Sequence, residues 1–138
     1  MNNERIITST SEEANDVRNK LIEFNSSHVP NGRYEVVNLC VKNDQGEIIA
    51  GLNSAIKWNW MEIDILWVHQ DYRGKGHGKR LLEEAERIAR DQECTFINLH
   101  TFSFQAPDFY PKYGFQVMAT IENAPTGHSH YYYKKELT

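Results

Sequence analysis

"WVHQDYRGKGHGKRLL", Trp67 to Leu82, is the stretch on which the reading of this chain turns. A β-rich run enters it and an apolar run with helical spacing leaves it. Between them, Gly74, Gly76 and Gly78 alternate with Lys75 and His77, and Arg73, Lys79 and Arg80 flank the set. A strand that passes into a helix through glycines leaves the first helical N–H groups without acceptors. Those donors, at the positive end of the helix dipole, form a site for an anion. Glycine lets the backbone take positive φ and approach a phosphate closely. The spacing is neither Gly-x-x-x-x-Gly-Lys-Ser/Thr nor Gly-x-Gly-x-x-Gly. On composition alone the stretch is either a basic flexible turn or a cradle for phosphate.

The residues just upstream, "MEIDILWV" (61–68), alternate as a strand. The period of two puts Met61, Ile63, Ile65 and Trp67 on one face and Glu62, Asp64, Leu66 and Val68 on the other. Two carboxylates are therefore expected to point the same way. Further upstream, "YEVVNLCVKN" and "EIIAGLNSAIKW" read as two strands joined by a turn at "NDQG" (43–46), and "WNW" (58–60) closes that hairpin. "ERIIT" (4–8) reads as a short first strand. "TSEE" then offers a capping box, Thr10 with Glu13, ahead of a helix over 11–25 with Ala14, Val17, Leu21 and Phe24 on one stripe. Residues 25–33 read as a loop.

Downstream, Leu81, Leu82, Ala85, Ile88 and Ala89 mark a helix to about Asp91, with outer pairs expected at Glu83/Arg87 and Glu86/Arg90. "TFINLHTF" (95–102) lacks strict alternation, which suits a strand covered on both faces. "QAPDFYPKYG" (105–114) reads as a short helix stopped by Gly114. "FQVMATI" and "HYYYKKEL" read as closing strands. Strands first, then strands alternating with helices, predict a mixed sheet with helices on its faces.

The 138 residues suit one domain, with 40% hydrophobic, 25% charged and 12% aromatic residues. A net charge of −4 argues against general nucleic-acid binding. No run is long enough to span a bilayer, and no signal-peptide core follows Met1, so a soluble cytoplasmic protein is expected. Cys40 and Cys94 make no disulfide framework and read as packing residues.

Arg73-x-x-Gly76-x-Gly78 resembles the Arg/Gln-x-x-Gly-x-Gly/Ala signature of the GNAT N-acetyltransferases. "FQAPDFYPKYGF" (104–115) resembles that family's later block, in the same order and at a fitting distance. The resemblance implies a single domain over residues 1–138, with a mixed, mostly antiparallel central sheet and helices on both faces. It implies acetyl-CoA as co-substrate, no metal, and transfer of the acetyl group to an amine.

The roles it implies are specific. The amides of Gly74, Lys75, Gly76, His77, Gly78 and Lys79, with Arg73 beside them, would hold the coenzyme A pyrophosphate. The backbone of Leu66, Trp67 and Val68 would pair with the pantetheine arm, and one amide there would polarise the thioester carbonyl. One such donor is worth roughly 2.7–4 kcal/mol. Tyr110 matches the tyrosine that protonates the departing thiolate; a phenol of pKa about 10 keeps its proton at neutral pH. Many members carry an asparagine seven residues before that tyrosine. Ser103 stands here instead, and Gln105 offers a polar group nearby.

An alkylammonium has pKa near 10.4 and must lose a proton before it attacks. Glu62 stands where some members keep a general base, and Asp64 is the second candidate, with a water chain as a third route. A small cationic amine would suit the two carboxylates and the aromatics of Trp58–Trp60, by charge and cation–π attraction. Residues 25–33 and 124–130 would share in specificity. No nucleic-acid or membrane partner is expected, and the resemblance allows a homodimer. His128 and His130 share a strand face, with His100 on a neighbouring strand, a geometry that would permit two ligands but no evident metal site. The competing reading is a non-catalytic acyl-CoA-binding or sensor domain on the same fold.

Overall fold

The computed structural model describes residues 3–137, which form two compact units, one ending at Gly32 and one beginning at Arg33.

The first unit is a helix, α1 (Ser11–His28). Its start is the expected capping box: the Thr10 side chain accepts from the Glu13 amide, and the Glu13 carboxylate accepts from the Thr10 amide. Those bonds hold the Glu13 carboxyl below its ordinary pKa. The helix runs one turn past the expected end at residue 25. Ser26 and Ser27 hydroxyls bond back to the carbonyls of Ile22 and Phe24, so residues read as loop-formers satisfy their polar groups inside the helix. Residues 4–8, expected as a strand, enter no sheet. Strand propensity needs a ladder partner to become a strand, and none of the six strands supplies one.

The second unit is a six-stranded sheet. Its strands are β1 (Tyr34–Lys42), β2 (Ile48–Lys57), β3 (Trp60–Val68), β4 (Phe96–Phe102), β5 (Gln116–Glu122) and β6 (Ser129–Glu136), in the order β1-β2-β3-β4-β6-β5. Every pair is antiparallel except β3–β4, so the sheet is mixed and mostly antiparallel, the α/β class expected. The single parallel pair forces a crossover between β3 and β4. That crossover is the glycine stretch followed by α2 (His77–Asp91).

Leu81, Leu82, Ala85 and Ala89 of α2 pack into one core with Leu52, Ile56, Met61, Ile63, Ile97 and Leu99 of the sheet. The outer face of α2 pairs differently from expectation. Glu86 and Arg90 do pair, at 3.1 Å. Arg87, however, takes Glu84 and Asp91, while Glu83 faces Lys79 at 3.8 Å. One arginine between two acids at i−3 and i+4 is offered two partners, and Glu83 is left with the lysine a turn earlier. Glu86 also reaches Lys135 on β6. Burial alone would raise the Glu86 pKa, but hydrogen bonds from Lys135 and Arg90 outweigh it and hold the carboxyl below its ordinary value.

Three further expectations change. β4 is not covered equally on both sides: Ile97, Leu99 and Thr101 are buried, and His100 on the opposite face is exposed. Residues 105–114 form only a 3-10 turn, Tyr110–Tyr113, because Pro107 and Pro111 withhold amides from a longer helix. Gly114 stops that turn at φ 91°, as expected. Cys94 is buried and its thiol is pushed up by burial, whereas Cys40 is exposed rather than packed.

Candidate acetyl-transfer site

The strand that leads to the glycines is bent by a β-bulge. Ile65 pairs with Asn53 and Ile63 pairs with Ser54, so Asp64 is the extra residue on β3. A bulge adds one residue to the period of two and turns every later side chain to the other face. Met61 and Ile63 face α2 before the bulge; Leu66 and Val68 pack on the same core after it. The sequence expectation of one shared face for Glu62, Asp64, Leu66 and Val68 is therefore corrected. Glu62 lies on the face away from α2, Asp64 is exposed at the bulge, and Trp67 is exposed beyond it.

The bulge coincides with the end of the parallel β3–β4 pairing. β3 and β4 pair from Trp60–Phe96 to Ile63–Leu99, and no further. Past that point, β3 continues through Val68 and β4 through Phe102, each without the other. The backbone of Ile65–Val68 thus pairs with β2 on one edge and offers the other edge to an extended guest. The expected rail, Leu66–Val68, lies in this split.

The rail runs straight into the glycine loop. The Arg73 Nε donates to the Val68 carbonyl at 3.1 Å, folding the loop back on the strand end. Gly74 and Gly76 take φ of 76° and 87°, values that side-chain-bearing residues rarely adopt. Gly76 is the N-cap of α2, no side chain caps the helix, and no acid sits in its first turn. The first internal bond is from the Arg80 amide to the Gly76 carbonyl at 3.0 Å, which leaves the amides of His77, Gly78 and Lys79 for an outside acceptor. Lys75 lies over the Tyr72 ring at 5.2 Å from its centre. The His77 ring is half-buried, and its Nδ1 has no partner. These features fit an anion such as a pyrophosphate.

Gly78 joins three elements. A Cβ built there would stand 3.3 Å from Phe109 Cζ and 3.7 Å from Val68 Cγ2. Phe109 neighbours Tyr110, whose buried ring packs against Phe109, Phe115 and Tyr133, with centroids 5.3, 5.9 and 5.7 Å away. Burial, and secondarily the neighbouring Tyr133, push the Tyr110 phenol up to about 12. The strand end, the helix start and the tyrosine are thus brought together through one glycine.

On the face away from α2, Glu62 is held by Lys57, whose Nζ lies 2.7 Å from Oε2. Across the parallel pair, Glu62 stands opposite Asn98. Asn98 Oδ1 is buried without a partner, as are the Nε1 atoms of Trp58 and Trp60. Nothing in the sequence singles out Asn98; only the parallel register sets it beside Glu62.

Ser103 and Gln105 are already engaged, Ser103 with the start of β6 and Gln105 within its own turn. The Ser103 hydroxyl accepts from the Ser129 amide at 3.0 Å, and Gln105 Oε1 accepts from the Phe102 amide at 2.9 Å and the Thr101 hydroxyl at 3.1 Å. His130 lies across from Phe102, and its Nε2 is 3.0 Å from His100 Nδ1. Among the described residues, no group of three or more His, Cys, Asp or Glu side chains gathers as a metal site would require. A cleft of about 570 Å³ between β1 and α2, lined by Leu39, Val41, Arg80, Leu81, Glu84 and Arg87 among others, contains none of the residues expected to react. No helix among the described residues is long and apolar enough to cross a membrane.

Comparison with known proteins agrees with this geometry. The model of the acetyltransferase (GNAT) family matches residues 5–115. The blasticidin-S acetyltransferase of Streptomyces morookaense is 38% identical over 95 residues, covering 68% of this chain and 70% of that protein. The crystal structure of an acetyltransferase from Bacillus cereus superposes with a TM-score of 0.92 at 37% identity, covering 97% of this chain and 98% of the other. An aminoglycoside 6'-N-acetyltransferase complexed with coenzyme A, at 16% identity, shares the fold with a TM-score of 0.66 over 84% and 78% of the two chains. The match over most of its length and the 38% relative place this chain in the acetyltransferase (GNAT) family, as an acyltransferase that uses acetyl-CoA.

Proposed function

We propose that the protein transfers the acetyl group directly from acetyl-CoA to a primary amine of a small, cationic acceptor, its whole length working as one domain. The observation that carries this reading is the β3–β4 split beginning after Ile63–Leu99, which opens between the glycine loop and the Glu62–Asn98 pair. One side of the split suits a thioester arm, and the other face suits an ammonium.

On this reading, the amides of Gly74–Lys79, with Arg73 shaping the loop, hold the pyrophosphate. The free edge of Leu66–Val68 orients the pantetheine arm and polarises the thioester carbonyl. Ser103 and Gln105 set the turn that carries the chain from β4 towards Tyr110. Tyr110 gives its proton to the departing thiolate. Glu62 and the unpartnered Asn98 Oδ1 receive the acceptor ammonium, which takes the place of the Lys57 ammonium; the bulged Asp64 adds negative charge. That the blasticidin-S acetyltransferase, 38% identical, is named for a small molecule supports a small-molecule acceptor.

The test is an acceptor panel that follows release of free coenzyme A thiol, with Tyr110→Phe as the control. Polyamines, aminoglycosides and amino-acid amines are expected to outperform neutral acceptors; indifference to acceptor charge would overturn the cationic class. Glu62→Gln is expected to raise KM for cationic amines roughly 10- to 100-fold, the range for a lost hydrogen bond to a charged group, with KM for acetyl-CoA unmoved. An unmoved amine KM would remove Glu62 from acceptor binding.

Gly78→Val tests the junction. Its branched side chain meets Phe109 and Val68 at close range and crowds the helix start, overpacking worth about 1–3 kcal/mol. KM for acetyl-CoA is expected to rise about tenfold or more in steady-state assays, and the thermal midpoint to fall. A variant with native KM would show that the three elements are not coupled through this position.

A further inference from the structure

The reading above leaves one proton without a destination: the one that the acceptor ammonium must lose. Glu62 already shares its Oε2 with Lys57, and the arriving ammonium would occupy the same carboxylate. The structure offers another group. His100 is the first β4 residue past the last β3–β4 pair, and it faces away from α2, as Asn98 does. It is exposed, and its Nδ1 lies 3.0 Å from Nε2 of His130. The two rings meet edge-on, with centroids 4.9 Å apart and planes at 82°. His130 is itself fixed against Phe102, a stacked neighbour at 4.4 Å.

We propose that His100, oriented by His130, takes the proton from the acceptor amine at the mouth of the β3–β4 split. This rests on the acetyl-transfer reading above. One N–H bond of the ammonium breaks and one N–H bond forms at His100 Nε2. The freed lone pair attacks the thioester carbonyl, and the proton passes from the exposed imidazolium to water. For Nε2 to be vacant, the His100 proton must sit on Nδ1 and be donated to His130 Nε2, which therefore acts as a positioning group. Burial, and then the adjacent His100, lower the pKa of His130, which favours the neutral ring this arrangement needs. The other charged or titratable groups on this face are Lys57 from β2, Glu62 and Asp64 from β3, Tyr132, Lys134 and Glu136 from β6, and His128 just before β6. On β5, the cross-strand neighbours of Tyr132 and His130 are Ala119 and Ile121, which carry no charge.

The experiment is the pH dependence of kcat/KM for native protein, His100→Gln, His130→Ala and His130→Gln, with two acceptors. One acceptor is a strongly basic alkylamine; the other is a weakly basic amine already neutral at pH 7. His100→Gln is expected to lower transfer to the alkylamine about 100-fold and to abolish the acidic limb of its profile, while transfer to the weakly basic amine falls far less. His130→Ala is expected to lower transfer to the alkylamine about tenfold, because the His100 ring loses the partner that orients it. His130→Gln, which restores an acceptor oxygen, should recover most of that loss. Equal loss with both acceptors, or an acidic limb that survives His100→Gln and vanishes in Glu62→Gln, would overturn the proposal. Absence of transfer to every amine by the native protein would instead refute the acetyl-transfer reading beneath it.

Discussion

Tyr110→Phe is expected to lower kcat by about 10²–10⁴, the span for loss of a positioned proton donor, with KM for acetyl-CoA nearly unchanged. The substitution keeps the ring that packs on Phe109, Phe115 and Tyr133 and removes only the hydroxyl, so the fold should persist. Because burial pushes the phenol up to about 12, Tyr110 stays protonated throughout the neutral and mildly alkaline range. The native protein should therefore show no loss of activity attributable to Tyr110 below about pH 10. The same shift has a consequence for stability. The unfolded phenol loses its proton near 10 and the folded one only near 12, so the unfolded chain binds fewer protons between those values. Stability from this group is complete below about pH 10 and declines as pH rises towards 12. Steady-state kinetics and alkaline unfolding of the two proteins, side by side, check both statements. A kcat within threefold of native would remove Tyr110 from the chemistry.

Leu52→Ala is expected to destabilise the protein by about 3–5 kcal/mol, read by denaturant titration. Leu52 is completely buried on β2, opposite Leu39 of β1 and Leu66 of β3, in the layer beneath α2. Strands on both sides and the helix fix its surroundings, so little can collapse into the space left behind. The cost therefore includes a cavity as well as lost burial. Leu66 is the first core-facing residue past the bulge, and the proposed rail begins there. The variant should accordingly lose acetyl-CoA affinity before it unfolds. A loss below 1 kcal/mol would mean that this layer repacks freely.

Much of the fold was legible because its signals are local. The capping box at Thr10 and Glu13 depends on four consecutive residues, and it forms as read. The apolar spacing from Leu81 to Ala89 defines α2 and the face it buries. The glycines at 74 and 76 adopt the positive φ that their chemistry permits, in the order the motif implies. The hairpin turn at 43–46 also depends only on near neighbours: the Asn43 side chain accepts from the amides of Gln45 and Glu47. Misreadings also arose where a local signal competed with another. The prolines at 107 and 111 reduced an expected helix to one 3-10 turn, and the serines at 26 and 27 extended a helix they were read as ending.

The site is a different matter. Sequence pointed to the candidates for acetyl-transfer chemistry: the glycine loop, the strand before it and Tyr110 after it. Which of them share a face was decided by tertiary structure. A period of two cannot reveal a bulge, because the extra residue is defined by the pairing of Asn53 and Ser54 on another strand, and that pairing turned Leu66 and Val68 away from Glu62's face. A parallel register, likewise invisible in either strand alone, ended the β3–β4 ladder at Ile63–Leu99 and set Asn98 beside Glu62. The meeting of His100 and His130 spans thirty residues and depends on the β4–β6 pairing. Backbone conformation follows from neighbours a few residues away and is written in the sequence; the juxtaposition of reactive groups follows from register between distant strands, and only the folded sheet fixes it.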